Sequence, residues 1–202
     1  MLRFAAAVVA MAAAAGCEMV PTPPPATGQS DGAGRLAALT VAAAGSMRGY
    51  AREKFPTWRE TGPNCDVRDE VLRRDGSKVK TSGCNVVAGT WISTYDGTVL
   101  DAPAKVEIDH LVPLANAWRS GASGWTAAQR DDFANDLDRP ELVAVSTATN
   151  RAKGDQDPST WRPPRTGSWC RYAEDWIAVK AHWHLTVTRP EKAALADMLA
   201  GC

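Results

Sequence analysis

The sequence predicts an α+β domain in which a small antiparallel β element is set among helices. Three observations predict it. Short β-rich runs stand at 86–93, 105–110 and 142–145. Helical patterns with capping signals, among them Thr126…Gln129 and Thr188…Glu191, fill much of the rest. Four cysteines, Cys65, Cys84, Cys170 and Cys202, follow an export-type leader and imply two disulfides.

Residues 1–16 carry one charge, Arg3, ahead of an apolar stretch that ends in small residues. This is the pattern of a secretion signal, too short for a spanning helix. Ala14-Ala15-Gly16-Cys17 fits a bacterial lipoprotein junction, although Ala14 stands where Leu is usual. Cys17 is therefore the expected lipidated residue, and lipid the only expected link to a membrane. Ordinary cleavage near the same place is the alternative. Residues 17–34 hold Pro21, Pro23, Pro24 and Pro25 and little to bury, as in a linker. Residues 35–202 suit one domain, and eight Trp give it a core.

Within that domain, a helix is expected over 36–54, with Leu36, Leu39, Val41 and Tyr50 apolar and Pro56 closing it. Asp66 caps a helix running to Arg73, which Asp75-Gly76 stops. Asp96-Gly97 signals a hairpin between the strand at 86–93 and a return at 98–100. After the strand at 105–110, Pro113 starts a helix over 114–119. Thr126 opens another through Asn135. The strand at 142–145 follows, with Asn150 on or near the next helix. A helix over 169–183 places Tyr172, Trp176, Val179 and Trp183 on one side. The last helix opens at Thr188 and ends at Gly201.

Lys and Arg number 23 against 23 Asp and Glu, and loss of residues 1–16 leaves 22 against 23. Such a balance excludes nucleic-acid binding by bulk charge, so any positive field must be local. Arg48, Arg52 and Lys54, and likewise Arg73, Arg74, Lys78 and Lys80, read as solvated surface. Arg151, Lys153, Arg162 and Arg165 lie beside the segments discussed next. The cysteines allow three connectivities. The local pairing Cys65–Cys84 and Cys170–Cys202 is the one chosen, each bridge stabilising the fold by about 3 kcal/mol. A zinc site fits less well, because no C-x-x-C pair occurs.

Two segments carry the chemistry. The first is Glu107-Ile108-Asp109-His110-Leu111-Val112-Pro113, the second Asn150-Arg151-Ala152-Lys153-Gly154-Asp155. Asp109 and Asn150 offer oxygens that suit a hard divalent ion. His110 can take a proton from water, and Arg151 and Lys153 can bind phosphate oxygens. Adjacent side chains on a strand point to opposite faces, so Asp109 and His110 can share one site only where the strand ends. His182 and His184 read as helix-end histidines rather than a metal pair, since i and i+2 do not share a helix face. Trp161 beside Pro163 and Pro164 reads as either a base-stacking or a buried structural residue.

These segments resemble the ββα-metal (HNH) nuclease core in its D-H…N form, including the HNH domains of RNA-guided nucleases. The nearer likeness is to exported HNH proteins related to the C-terminal nuclease domain of GmrSD-type restriction enzymes. It runs from about Tyr50 to Cys202 and includes Trp91, Tyr95-Asp96-Gly97, Ala117-Trp118, Trp125, Phe133-Ala134-Asn135-Asp136, Lys153-Gly154-Asp155 and Trp161-Arg162-Pro163-Pro164. The resemblance implies metal ligands at Asp109 and Asn150, a general base at His110, and products with 5′-phosphate and 3′-hydroxyl ends. Glu141 stands near the place of the family's middle Asn; either it accepts a hydrogen bond in the same way or the loop behind the histidine is held otherwise, and it is not counted among the site residues. The expected protein is an exported, monomeric endonuclease using magnesium, with manganese as the alternative, on DNA in preference to RNA. The alternatives are a non-catalytic envelope lipoprotein that binds through this fold, and a hydrolase of small phosphodiesters.

Overall fold

A two-stranded antiparallel ribbon separates two hydrophobic cores. Its strands are β6 (Val106–His110) and β7 (Leu142–Ser146), paired from Val106↔Ser146 to His110↔Leu142. Alternation sends Glu107, Asp109, Val143 and Val145 to one face, and Val106, Ile108, His110, Leu142 and Ala144 to the other. Val143 and Val145 join the larger core, while Val106, Ile108, Leu142 and Ala144 join the smaller. Every residue of β7 is buried, so it reads as a continuous apolar run. The computed structural model describes residues 30–202 together with Met1. The expected signal, Cys17 and most of the expected linker lie outside the described residues.

The smaller core is built on α2 (Val67–Asp75), whose Asp66 cap and Asp69 form a capping box. Val67, Val71 and Leu72 bury against Trp91. Before it, β1 (Glu60–Gly62) and β2 (Cys65–Asp66) make a short ladder. After it, β3 (Ser77–Ser82), β4 (Asn85–Ile92) and β5 (Val99–Leu100) form an antiparallel sheet. The sequence reading lacks β3, because Ser77-Lys78-Val79-Lys80-Thr81-Ser82 offers one half-buried apolar residue and no alternation. Its partner β4 and the turn at Gly83 (φ 63°) hold it. Cys65 and Cys84 are joined, with Cα atoms 5.6 Å apart.

The larger core gathers α3 (Leu114–Arg119), α4 (Ala127–Ala134), α6 (Trp169–His182) and α7 (Arg189–Ala200). The expected caps at Thr126 and Thr188 are formed. Tyr172, Trp176 and Val179 of α6 are buried, with Trp183 packed at the edge. Cys170 and Cys202 pair at a Cα separation of 5.6 Å. A buried ion pair, Lys180 Nζ to Glu191 Oε1 at 2.9 Å, links α6 to α7. Its ammonium also donates to Asn116 Oδ1 and the Thr186 carbonyl, so the buried charge is fully partnered.

One expected helix is corrected. Instead of 36–54, α1 runs Ser30–Ala38, starting inside the expected linker and burying Leu36. Beyond it the chain is extended: the Ala42 N–H donates to the Val187 carbonyl and the Val187 N–H to the Thr40 carbonyl, each at 3.0 Å. Thr40-Val41 is β-branched, and Gly49 (φ 76°) cannot continue a helix, so tertiary pairing wins over helical periodicity. Only a single 3-10 turn, Arg52–Lys54, remains of the expected second half. Among the described residues, no helix is long and apolar enough to cross a membrane.

Candidate active site

The site grows from the junction of β7 and α5 (Thr147–Lys153). Ser146, last in β7, caps α5 by accepting the Thr149 N–H, and its hydroxyl donates to Asp96 Oδ2 at 2.7 Å. Asn150 and Lys153 stand one turn apart, so both reach the same face of β6. There the Asn150 amide donates to Glu107 Oε2 at 2.6 Å, and Lys153 Nζ meets Asp109 Oδ2 at 2.7 Å.

Lys153 is a correction. Expected at the substrate phosphate, its side chain is 0% exposed. Its ammonium is spent on Asp109 and on the His110 carbonyl at 2.9 Å. A carboxylate this deep needs a charged partner, and Lys153 supplies it from within α5. Tyr95 adds a hydroxyl bond to the same Oδ2 at 2.6 Å, and its ring is wedged by Trp161 and Tyr172 at 5.1 and 5.6 Å. Trp161 therefore packs as structure behind the site. Burial raises the Asp109 carboxyl above its usual range, against the pull of Lys153 and Tyr95. Burial and the Asp109 charge push the Tyr95 hydroxyl well above its own.

Both contacts to Asp109 fall on Oδ2, and the contact between Glu107 and Asn150 uses Oε2 and the amide nitrogen. Asp109 Oδ1, Glu107 Oε1 and Asn150 Oδ1 thus make no hydrogen bond among the described residues, and none is a sealed, orphaned atom. Three oxygen donors on one face fit a hard cation that keeps several waters. No group of three His, Cys, Asp or Glu side chains among the described residues is placed to hold a metal ion, so the amide oxygen is needed to complete the set.

His110 lies on the opposite face of the ribbon, as alternation requires, and the structure does not bring it beside Asn150. Its Nε2 bonds the Ala134 carbonyl at 3.0 Å, which makes Nε2 the protonated nitrogen and leaves the Nδ1 lone pair without a partner among the described residues. Burial lowers its pKa to about 3, with the charges of Arg52 and Lys153 pushing the same way, so the ring is neutral. Beyond it, the Leu111 N–H donates to the Glu141 carbonyl and the Val112 N–H to Glu141 Oε2 at 3.1 Å. Glu141 thus accepts the loop hydrogen bond expected of it, although its Oε1 is buried without a partner and burial raises its pKa well above the usual range.

Of the cations grouped with the site, Arg151 and Arg165 are exposed and make no side-chain ion pair among the described residues. Arg165 rests on the Asp96-Gly97 turn: a Cβ on Gly97 would lie 3.1 Å from its Nη1, at a backbone φ of 74°. Arg162 is committed elsewhere, to Asp197 at 2.6 Å and to the face of Trp169. His182 ends α6 beside Trp183, and His184 follows it, as expected of helix-end histidines. Sequence reasoning gave Glu107 and Tyr95 no role. The period-2 alternation from Asp109 points to Glu107, whereas no local signal points to Tyr95.

The model of the GmrSD restriction endonucleases, C-terminal domain, matches residues 66–198. The chain belongs to this family. The match spans the ribbon, α5 and every site residue named above. An uncharacterized secreted protein of Arthroderma benhamiae is 48% identical over 184 residues, covering 91% of this chain and 90% of that protein. No solved structure matches the chain.

Proposed function

We propose that this GmrSD C-terminal-domain protein is an exported HNH-type endonuclease that hydrolyses DNA phosphodiester bonds with a divalent ion, magnesium or manganese. The observation that carries the reading is the set of three open oxygens on Glu107, Asp109 and Asn150, one residue from a neutral histidine with a free Nδ1. On this reading β6, β7 and α5 form the ββα unit. Glu107, Asp109 and Asn150 would hold the ion, which when bound would neutralise charge developing on the phosphoryl and leaving oxygens.

The other roles fall to the chain's own groups. His110 Nδ1 accepts a proton from the attacking water, while its Nε2–H stays on the Ala134 carbonyl. Because Asp109 and His110 leave the strand on opposite faces, the phosphate lies across the end of the ribbon, where the two faces meet. Lys153 and Tyr95 hold Asp109 by Oδ2 and leave Oδ1 unused. Arg151 and Arg165 bind backbone phosphates, which gives little sequence preference. The A. benhamiae relative, named as a secreted protein, supports export. A lipid on Cys17 and a monomeric state remain part of the proposal.

Incubation of the purified mature chain with plasmid DNA and with RNA, in magnesium, manganese or chelator, tests the reading. DNA cleavage with metal, none with chelator, and ligatable 5′-phosphate ends are expected. Cleavage that persists in chelator, or no cleavage of either polymer with either metal, overturns it.

A further inference from the structure

We propose that Trp58 and Asn135 form a clamp that fixes the orientation and tautomer of His110, as positioning residues for proton abstraction. The proposal rests on the reading of His110 as the base. Trp58 stacks on the imidazole with ring centroids 5.5 Å apart and planes 7° from parallel. Ala134, last in α4, takes the Nε2–H at the imidazole edge. Asn135 is the next residue and is buried. Its side chain grips the chain on both sides of Trp58: Oδ1 accepts the Arg59 N–H at 2.9 Å, and Nδ2 donates to the Pro56 carbonyl at 2.8 Å. The same amide nitrogen donates to the Asp131 carbonyl inside α4. Outside, the Arg59 guanidinium fastens the segment to Asp131 and Asp132 at 2.6 and 2.7 Å.

Edge and face of the imidazole are therefore both referred to the end of one helix. The edge contact alone favours one nitrogen but leaves the ring free to tilt until that bond breaks. The stack alone fixes the plane but lets the ring flip and exchange its nitrogens. Together they leave one arrangement, with Nδ1 free. A general base needs this, because a small misplacement of the accepting nitrogen costs rate while leaving substrate binding alone.

Trp58 also packs at the margin of the smaller core, so the test must separate packing from positioning. Trp58→Leu keeps apolar bulk without a ring, Trp58→Phe keeps a flat face, and Asn135→Asp is isosteric but lacks the two donors. The folded proteins are compared by ¹⁵N imidazole shifts at fixed pH, with the His110 signals identified by their loss in His110→Ala. The wild type and Trp58→Phe are expected to show one His110 tautomer, protonated on Nε2, and Trp58→Leu and Asn135→Asp a mixture. With DNA and magnesium, kcat should fall about 10–100-fold in the latter two, with KM unchanged, and Trp58→Phe should recover most of the rate. A wild-type tautomer and wild-type kcat in Trp58→Leu or Asn135→Asp would overturn the clamp. If the wild type cuts no nucleic acid, the functional reading fails, and the imidazole spectra still decide the clamp.

Discussion

The two faces of the β6–β7 ribbon are built in opposite ways. On the α5 face, Glu107 and Asp109 meet Asn150 and Lys153, which stand one turn apart on a helix that starts where β7 ends. On the other face, His110 is held by Trp58 from well upstream and by a carbonyl from the end of α4. The first face uses charge and short-range chain geometry. The second uses an aromatic stack and a backbone acceptor, both delivered by long-range packing. Ligand geometry can thus be encoded locally, while the setting of a base depends on tertiary closure.

The largest effect is expected at the base. His110→Ala should lower DNA cleavage by about 10²–10⁴-fold, the usual contribution of a general base. Manganese binding, read by titration calorimetry, should be largely retained because its ligands lie on the other face. Near-normal turnover in a folded preparation would remove the distinction between the faces.

The ligand face is broken most directly at Lys153. Lys153→Met strands a buried carboxylate and should cost about 3–5 kcal/mol in urea unfolding. Asp109→Asn added to it removes the stranded charge and should return much of that loss. A single-variant cost below about 1 kcal/mol would mean that the pair does not hold α5 to β6.

A smaller effect is expected at the cations. Arg151→Ala and Arg165→Ala should each raise KM for DNA and reduce the salt slope of binding by about 1. Arg162→Ala should leave the salt slope alone, since its guanidinium serves Asp197 and Trp169. Equal salt slopes in all three variants would discard the sorting of free from committed arginines.

The last effect is a pH dependence at Glu141. Burial raises its carboxyl well above the ordinary 4.5, so the folded chain keeps a proton that the unfolded chain releases. Its contribution to stability is full below that ordinary value and declines as pH rises toward the raised one. Glu141→Gln removes the slope. The wild type should therefore lose Tm relative to Glu141→Gln as pH rises above about 5. Parallel Tm curves would contradict a protonated Glu141.

Capped and strongly periodic elements were legible in the sequence. Asp66, Thr126 and Thr188 mark the starts of α2, α4 and α7, and the apolar side of α6 packs as its spacing indicates. The segment 36–54 was not, because beyond α1 its backbone groups pair with Val187 and Arg119 rather than within a helix. Nor was β3, whose exposed Lys and Ser side chains carry no burial pattern. At the site, Asp109 and Asn150 were legible from residue type and spacing. The burial of Lys153 was not, since a lysine beside Arg151 and Gly154 reads as surface until its carboxylate partner is placed. Tyr95 and Trp58 were out of reach for the same reason: only the closed chain brings them to Asp109 and His110.

The sealing of Lys153 also makes it a reporter. Lys153 and Lys180 are both 0% exposed, whereas Lys78, Lys80 and Lys105 face solvent. An amine-reactive reagent should tag the outer lysines of the folded chain at once and spare these two. Each would then be modified only when its own surroundings come apart. Lys153 reports the seam between α5 and β6, and Lys180 the seam between α6 and α7. Tagging of Lys153 ahead of Lys180 would show that the site breathes on its own, while the helical end of the molecule stays shut.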